Sequence, residues 1–195
     1  ATRQIKQTLP EVSVILVMDN YNEEQLFDAL KSGASACFTK DVDPDAVVNT
    51  IREAVKGKQP INEVIWKTEI ASRILDDFTA LSSLGEQAGK LLARLSTREA
   101  EVLHQIADGN TKEQIASTLS INDEALDSRF QSVHYKLVIN DQKLMLIEIA
   151  QSVLPAISRV SFTGKPGTEY ITKEEFTTFK ESLKERFKFL SGEIS

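Results

Sequence analysis

The chain has 195 residues, 41% hydrophobic and 27% charged, with a formal net charge of −6. That length holds one or two soluble domains, and no apolar run approaches the ~18 residues a membrane helix needs, so no membrane partner is expected. The acidic balance counts against a phosphate-rich partner unless basic residues gather locally.

The opening "ATRQIKQTLP" lacks the apolar core of a secretory signal. The single Cys37 excludes an intramolecular disulfide and fits a reducing, cytoplasmic setting. Its run "SACFTK" is apolar and strand-like, so a buried structural thiol is expected. Residues 1–60 alternate strand and helix signals. "ATRQIKQT" reads as a helix end stopped by Pro10. "SVILVM" (13–18) is short, apolar and β-branched, the mark of a buried strand. "NEEQLFDALKSG" sets Leu26, Ala29 and Leu30 on one helical face and stops at Gly33. "SACFTK" is the second strand. "DPDAVVNTIREAVKGK" is a helix with Asp43 as N-cap, Pro44 in its first turn and Gly57 past its end. Strand, helix, strand, helix over short links is a parallel α/β unit.

Residues 61–94 read as a linker helix. Its apolar positions Ile65, Ile70, Ile74, Leu75, Phe78 and Leu81 suit a dimer seam or an intrachain packing face equally, and "SSLGEQAG" is a candidate interruption. Residues 95–152 form helices of about 8–15 residues joined by tight turns. Residues 153–195 are a C-terminal extension. Pro155 is expected to break the helix, "FTGKPGTEY" to form a loop or hairpin, and "ITKEEFTTFKESLKERFKFL" to form a last helix boxed by Thr172 and Glu175.

Three motifs fail on their chemistry. Asp41, Asp43 and Asp45 begin like a calcium loop, but Ala46 and Arg52 stand where Gly and Glu are needed. "TGKPG" lacks the spacing of a phosphate-binding loop. His104 and His134 have no Cys or carboxylate at metal-ligand spacing, so packing or surface roles are expected and no metal or cofactor is. No nucleophile–base pair stands out, so no enzyme is expected.

The strongest pattern is "LSTREAEVLHQIADGNTKEQIASTLSINDEALDSRFQSVHYKL". Ser96 and Glu99 box the first helix, whose inner face is Val102, Leu103 and Ile106, ended by Gly109. Thr111 and Gln114 box the second, with Ile115, Ala116 and Leu119 inward. Ile121 fills the turn and Asn122 caps the third, where Leu126, Phe130, Val133 and Leu137 make one apolar stripe. A short second helix, a tight turn and an amphipathic third helix are a helix-turn-helix.

This segment resembles the LuxR-type domain of NarL/FixJ-like response regulators, through Leu95, Arg98, Glu99, Glu101, Val102, Leu103, Gly109, Ile115 and Ala116. Residues 1–60 are similar to the second half of that family's receiver, most specifically in "ALKSGAS" and "TKDVDPDAVVNTI". The resemblance covers about residues 1–150. It implies a partial, flavodoxin-like parallel sheet followed by an all-α helix-turn-helix domain, mostly helical overall. The divisions are then 1–60 receiver-like, 61–94 linker, 95–152 helix-turn-helix and 153–195 extension. The family's acidic pair and phosphoryl acceptor would lie before residue 1. Since two strands and their helices cannot cover both sheet faces, a chain continuing upstream is expected, with completion by another chain as the alternative.

Departures from the family bear on function. Met18 or Asp19 stands where the receiver's hydroxyl residue is expected, and Cys37 replaces its switch aromatic. Lys40 alone survives as a receiver remnant, so phosphorylation-dependent switching is not expected. On the third helix, Asp127 takes a Lys position and Ala125 a Thr position, while Glu113 replaces a Lys on the second. Five basic residues face nine acidic ones over 95–152. DNA affinity rests largely on neutralised phosphates, which this balance opposes.

Two functions follow. The first is a LuxR-type transcription regulator binding double-stranded DNA through Ser128, Arg129, Gln131, Tyr135 and Lys136, with Thr111 and Lys112 near phosphate. The second is a degenerate regulator that keeps both frames and binds protein, through the acidic third helix and the extension. A homodimer or a protein partner suits either.

Overall fold

The structure, a computed structural model, describes residues 1–82 and 91–158, with side chains to Glu148, and four further helical positions between Glu174 and Glu181. Beyond Ser82, the interruption expected at 82–89 lies outside the described residues. So do the loop at 162–170 and the box of Thr172 and Glu175. The chain divides into two compact units, Ala1–Gln142 and Lys143–Ser195. The elements run α1 (Thr2–Thr8), β1 (Ile15–Met18), α2 (Glu23–Lys31), β2 (Ala36–Thr39), α3 (Pro44–Val55), a 3-10 turn (Pro60–Trp66), α4 (Thr68–Ser82), α5 (Thr97–Ala107), α6 (Lys112–Leu119) and α7 (Asp123–Ser158).

Local chemistry sets most of the boundaries. Asn22 and Gln25 box the start of α2, and Gly33 beyond its end takes the left-handed backbone at φ +82°. A Cβ on Gly33 would also press on Lys6 and Val138 at 3.3 Å, so this turn doubles as a close approach. Asp43 accepts from the Asp45 amide at 3.2 Å as the cap of α3, the role expected for it in place of a calcium ligand. β1 and β2 pair in parallel from Ile15 opposite Ala36 to Met18 opposite Thr39. Among the described residues the sheet has these two strands alone.

That small sheet buries little by itself. Val17 on β1 and Val48, Ile51 and Val55 on α3 are exposed. The buried apolar residues instead face the helices. Leu26, Phe27 and Leu30 of α2 join Ile61 and Ile65 of the 3-10 turn, Ile70 and Ile74 of α4, Leu103 of α5 and the α7 stripe in one cluster. The α/β half and the helix-turn-helix therefore share a core within the first unit.

Two expectations are corrected. The linker is not helical throughout: Pro60 opens a 3-10 turn, and Lys67, extended at ψ 127°, delays α4 to Thr68. From there Ile70, Ile74, Phe78 and Leu81 are buried within the chain, so intrachain packing uses the face that also suited a dimer seam. Second, α7 is one helix of 36 residues. It carries through Pro155, which lies in its last turn. A proline there removes one helical hydrogen bond close to where the ladder ends anyway.

Candidate nucleic-acid interface

Three helices build the candidate surface, and their starts are fixed by side chains. The Ser96 hydroxyl accepts from the Glu99 amide at 3.3 Å, and the Glu99 carboxylate accepts from the Ser96 amide at 2.6 Å. Thr111 and Gln114 repeat the arrangement on α6 at 3.4 and 2.7 Å. After α6, Ser120 turns the chain with a left-handed φ of +52°, and the Asn122 side chain accepts from the Ala125 amide at 2.9 Å to start α7. Leu126, Phe130, Val133 and Leu137 are all buried, which seats α7 on the core along its expected stripe.

The seating leaves Glu124, Asp127, Ser128, Gln131 and Tyr135 exposed on the outer side of α7, with Tyr135 at 66%. The predicted contact residues divide on this frame. Ser128, Gln131 and Tyr135 share the outer face. Thr111 is exposed at the start of α6, its hydroxyl accepting as the cap and donating to the Glu113 carboxylate. Lys112 is bound to Asp123 at 3.1 Å, and that hydrogen bond, with the fields of Asp123, Asp127 and Glu63, holds its ammonium above the usual lysine range. Arg129 is half-buried, with its Nε shut off from water and without a hydrogen-bond partner. Lys136 turns inward. Its ammonium donates to both oxygens of Glu99 at 2.8 and 2.6 Å.

Glu99 is 4% exposed, and Ser132 donates to it at 2.6 Å. Burial pushes its carboxyl up, but the bonds from Lys136, Ser132 and Ser96 outweigh this and hold it below the usual glutamate range. This cluster was not foreseen, although Ser132, Lys136 and Asn140 at four-residue intervals are a polar ladder visible in the sequence. Asn140 exchanges two hydrogen bonds with the Ala93 backbone at 2.7 and 2.9 Å. On the opposite flank His134 is buried and donates from Nε2 to the Leu30 carbonyl at 3.0 Å. Burial, with the nearby Lys6 charge, lowers its pKa from 6.5 to about 4 although the Leu30 bond opposes the shift. Trp66 meets Phe130 edge-on at 4.9 Å.

In the α/β half, Lys40 pairs with Asp19, both exposed, and its amide donates to the Met18 carbonyl at 3.1 Å. The Cys37 thiol is pushed up by burial, as an inert structural cysteine would be. Among the described residues no group of His, Cys, Asp or Glu is arranged to hold a metal ion.

A parallel α/β half thus packs on a helix-turn-helix core and leaves one outer helix face open. Residues 93–145 match the family described as bacterial regulatory proteins, luxR family. The chain is also similar to named regulators. It is 27% identical over 142 residues to the uncharacterized transcriptional regulatory protein YxjL of Bacillus subtilis, covering 73% of this chain and 62% of that protein. To the transcriptional regulatory protein DegU of Brevibacillus brevis it is 26% identical over 154 residues, covering 76% and 65%. To the response regulator protein VraR of Staphylococcus saprophyticus it is 24% identical over 147 residues, covering 75% and 65%. Residues 93–145 thus carry the luxR-type match, and the chain is similar, at 24–27% identity, to proteins named as transcriptional and response regulators. It spans less than two thirds of the length of these relatives. No solved structure matches it.

Proposed function

We propose that this chain is a transcription regulator that binds duplex DNA through the outer face of α7, independently of phosphorylation. The observation that carries the reading is the intact frame: α7 is seated by its apolar stripe and shows Ser128, Gln131 and Tyr135 to solvent. These polar groups can read base edges, while Thr111 and Arg129 reach phosphate. Few cations serve that surface, because Lys112 is tied to Asp123 and Lys136 to Glu99. Binding should therefore be weak and its salt dependence shallow, with a log–log slope near −2 to −3 for roughly two or three neutralised phosphates.

Fluorescence anisotropy with mixed-sequence duplex, started at ~50 mM salt, tests this where electrostatics favour it most. A folded sample that leaves the duplex unbound there would sink the reading. Phosphorylation independence is supported by the absence of a hydroxyl at Met18 and Asp19 and by the Lys40–Asp19 pair. A small phosphoryl donor with magnesium should leave the isotherm unchanged.

A second reading, protein binding without specific DNA contact, is favoured by one observation. Glu124 and Asp127 are exposed on the very face that would meet the DNA backbone. A homodimer in either reading would use a face other than the buried one of α4.

A further inference from the structure

α7 is held by polar bonds on two flanks. Steps of about 100° per residue put Ser132, Lys136 and Asn140 along one flank and His134 and Asp141 along the other. The first flank is tied to Glu99 and the Ala93 backbone, the second to the Leu30 carbonyl and to Arg3, whose Nη2 donates to Asp141 at 3.1 Å. An apolar stripe alone tolerates rotation about the helix axis, since dispersion contacts are weakly directional. Hydrogen bonds are not tolerant, because they weaken steeply off their preferred distance and angle.

We infer that Glu99 is a positioning residue that sets the rotational phase of α7, and with it which side chains face a DNA groove. Its carboxylate does two jobs. It closes the first turn of α5 through the Ser96 amide, and it receives Ser132 and Lys136, one turn apart on α7. α7 is thereby keyed to the start of α5. A rotation of about 20° at a side-chain radius of roughly 5 Å moves the tips of Gln131 and Tyr135 by about 2 Å, beyond the reach of a formed hydrogen bond. Lys136, expected from sequence to touch DNA, acts from the inside as the cation of this key. The inference rests on the DNA-binding reading for its consequence, but its geometry has an independent reporter. Trp66, the single tryptophan, packs against Phe130 of α7 at 4.9 Å.

Glu99→Gln keeps an oxygen for the Ser96 amide and removes the charge that Lys136 answers. It should red-shift Trp66 emission as Phe130 leaves the indole, and weaken duplex binding by about tenfold. Lys136→Arg, which keeps charge and donors, should retain both properties. Ser132→Ala removes one bond and should shift emission less, in the same direction, which keeps the test open should Glu99→Gln fail to fold. Emission and affinity both unchanged in Glu99→Gln would overturn the inference. Lost affinity with unmoved emission would also overturn it, since the loss would then not come from a rotation of α7. If the parent chain binds no duplex, the functional reading fails while the emission arm still decides the positioning role.

Discussion

Lys136 shows how a single residue changes meaning between sequence and structure. On a helical wheel it lies beside the apolar stripe and is as available to solvent as to a partner. Its partner Glu99 is thirty-seven positions away, beyond any local spacing rule. Glu99 itself was legible, but for its local role as the box residue of α5. Its second role needs the crossing of α5 and α7. The energetics are asymmetric. Lys136→Met leaves a carboxylate buried without its cation, which should cost about 3–5 kcal/mol, whereas removing both charges should restore much of that. Urea denaturation of Lys136→Met and of Lys136→Met combined with Glu99→Gln measures the difference. Equal destabilisation in the two would mean that the charge pair contributes little beyond the space it fills.

At the scale of elements, the starts of helices were readable and their ends were less so. Asp43, Ser96, Thr111 and Asn122 all cap as expected, because an N-cap is a contact between residues two or three apart. The stripe of α7 was equally plain. Pro155 misled, since a proline removes only its own helical hydrogen bond and the helix runs on through it to Ser158. The 3-10 turn at Pro60–Trp66 was missed because its apolar residues are spaced for a helix as well as for a turn. What the stripe also fixes is the charge of the opposite face. Glu124 and Asp127 lie on it, exposed, so reversing them should cost the fold little. Glu124→Lys with Asp127→Lys replaces two repulsions by two attractions. Duplex binding should tighten by tenfold or more, and the salt slope should steepen by about one for each added phosphate contact. An anisotropy titration across salt reads both quantities. An unchanged slope would place this face away from the backbone of any bound DNA.

For the molecule as a whole, the sequence separates an α/β half from a helix-turn-helix, while the first unit packs them on one core. The two strands and their helices could be recognised from periodicity. That Leu26 and Leu30 would face α7 could not, because a period marks which side of a helix is buried and not what buries it. His134 sits at that junction, donating to the Leu30 carbonyl of α2. It folds neutral, with a pKa of about 4 against an ordinary 6.5, so between these values the unfolded chain binds more protons than the folded one. Stability must then rise with pH across that window and fall on acidification through it, by up to about 3 kcal/mol, levelling below pH 4. The depressed carboxyl of Glu99 also loses its contribution in acid, but below its ordinary 4.5, so the upper part of the window belongs to His134. Gln at position 134 can donate to the same carbonyl without titrating. Chemical denaturation of the parent from pH 7 to pH 5 should show a falling midpoint, and His134→Gln a nearly flat one. Equal slopes in the two proteins would mean that the junction opens to water and that His134 titrates as an exposed histidine does.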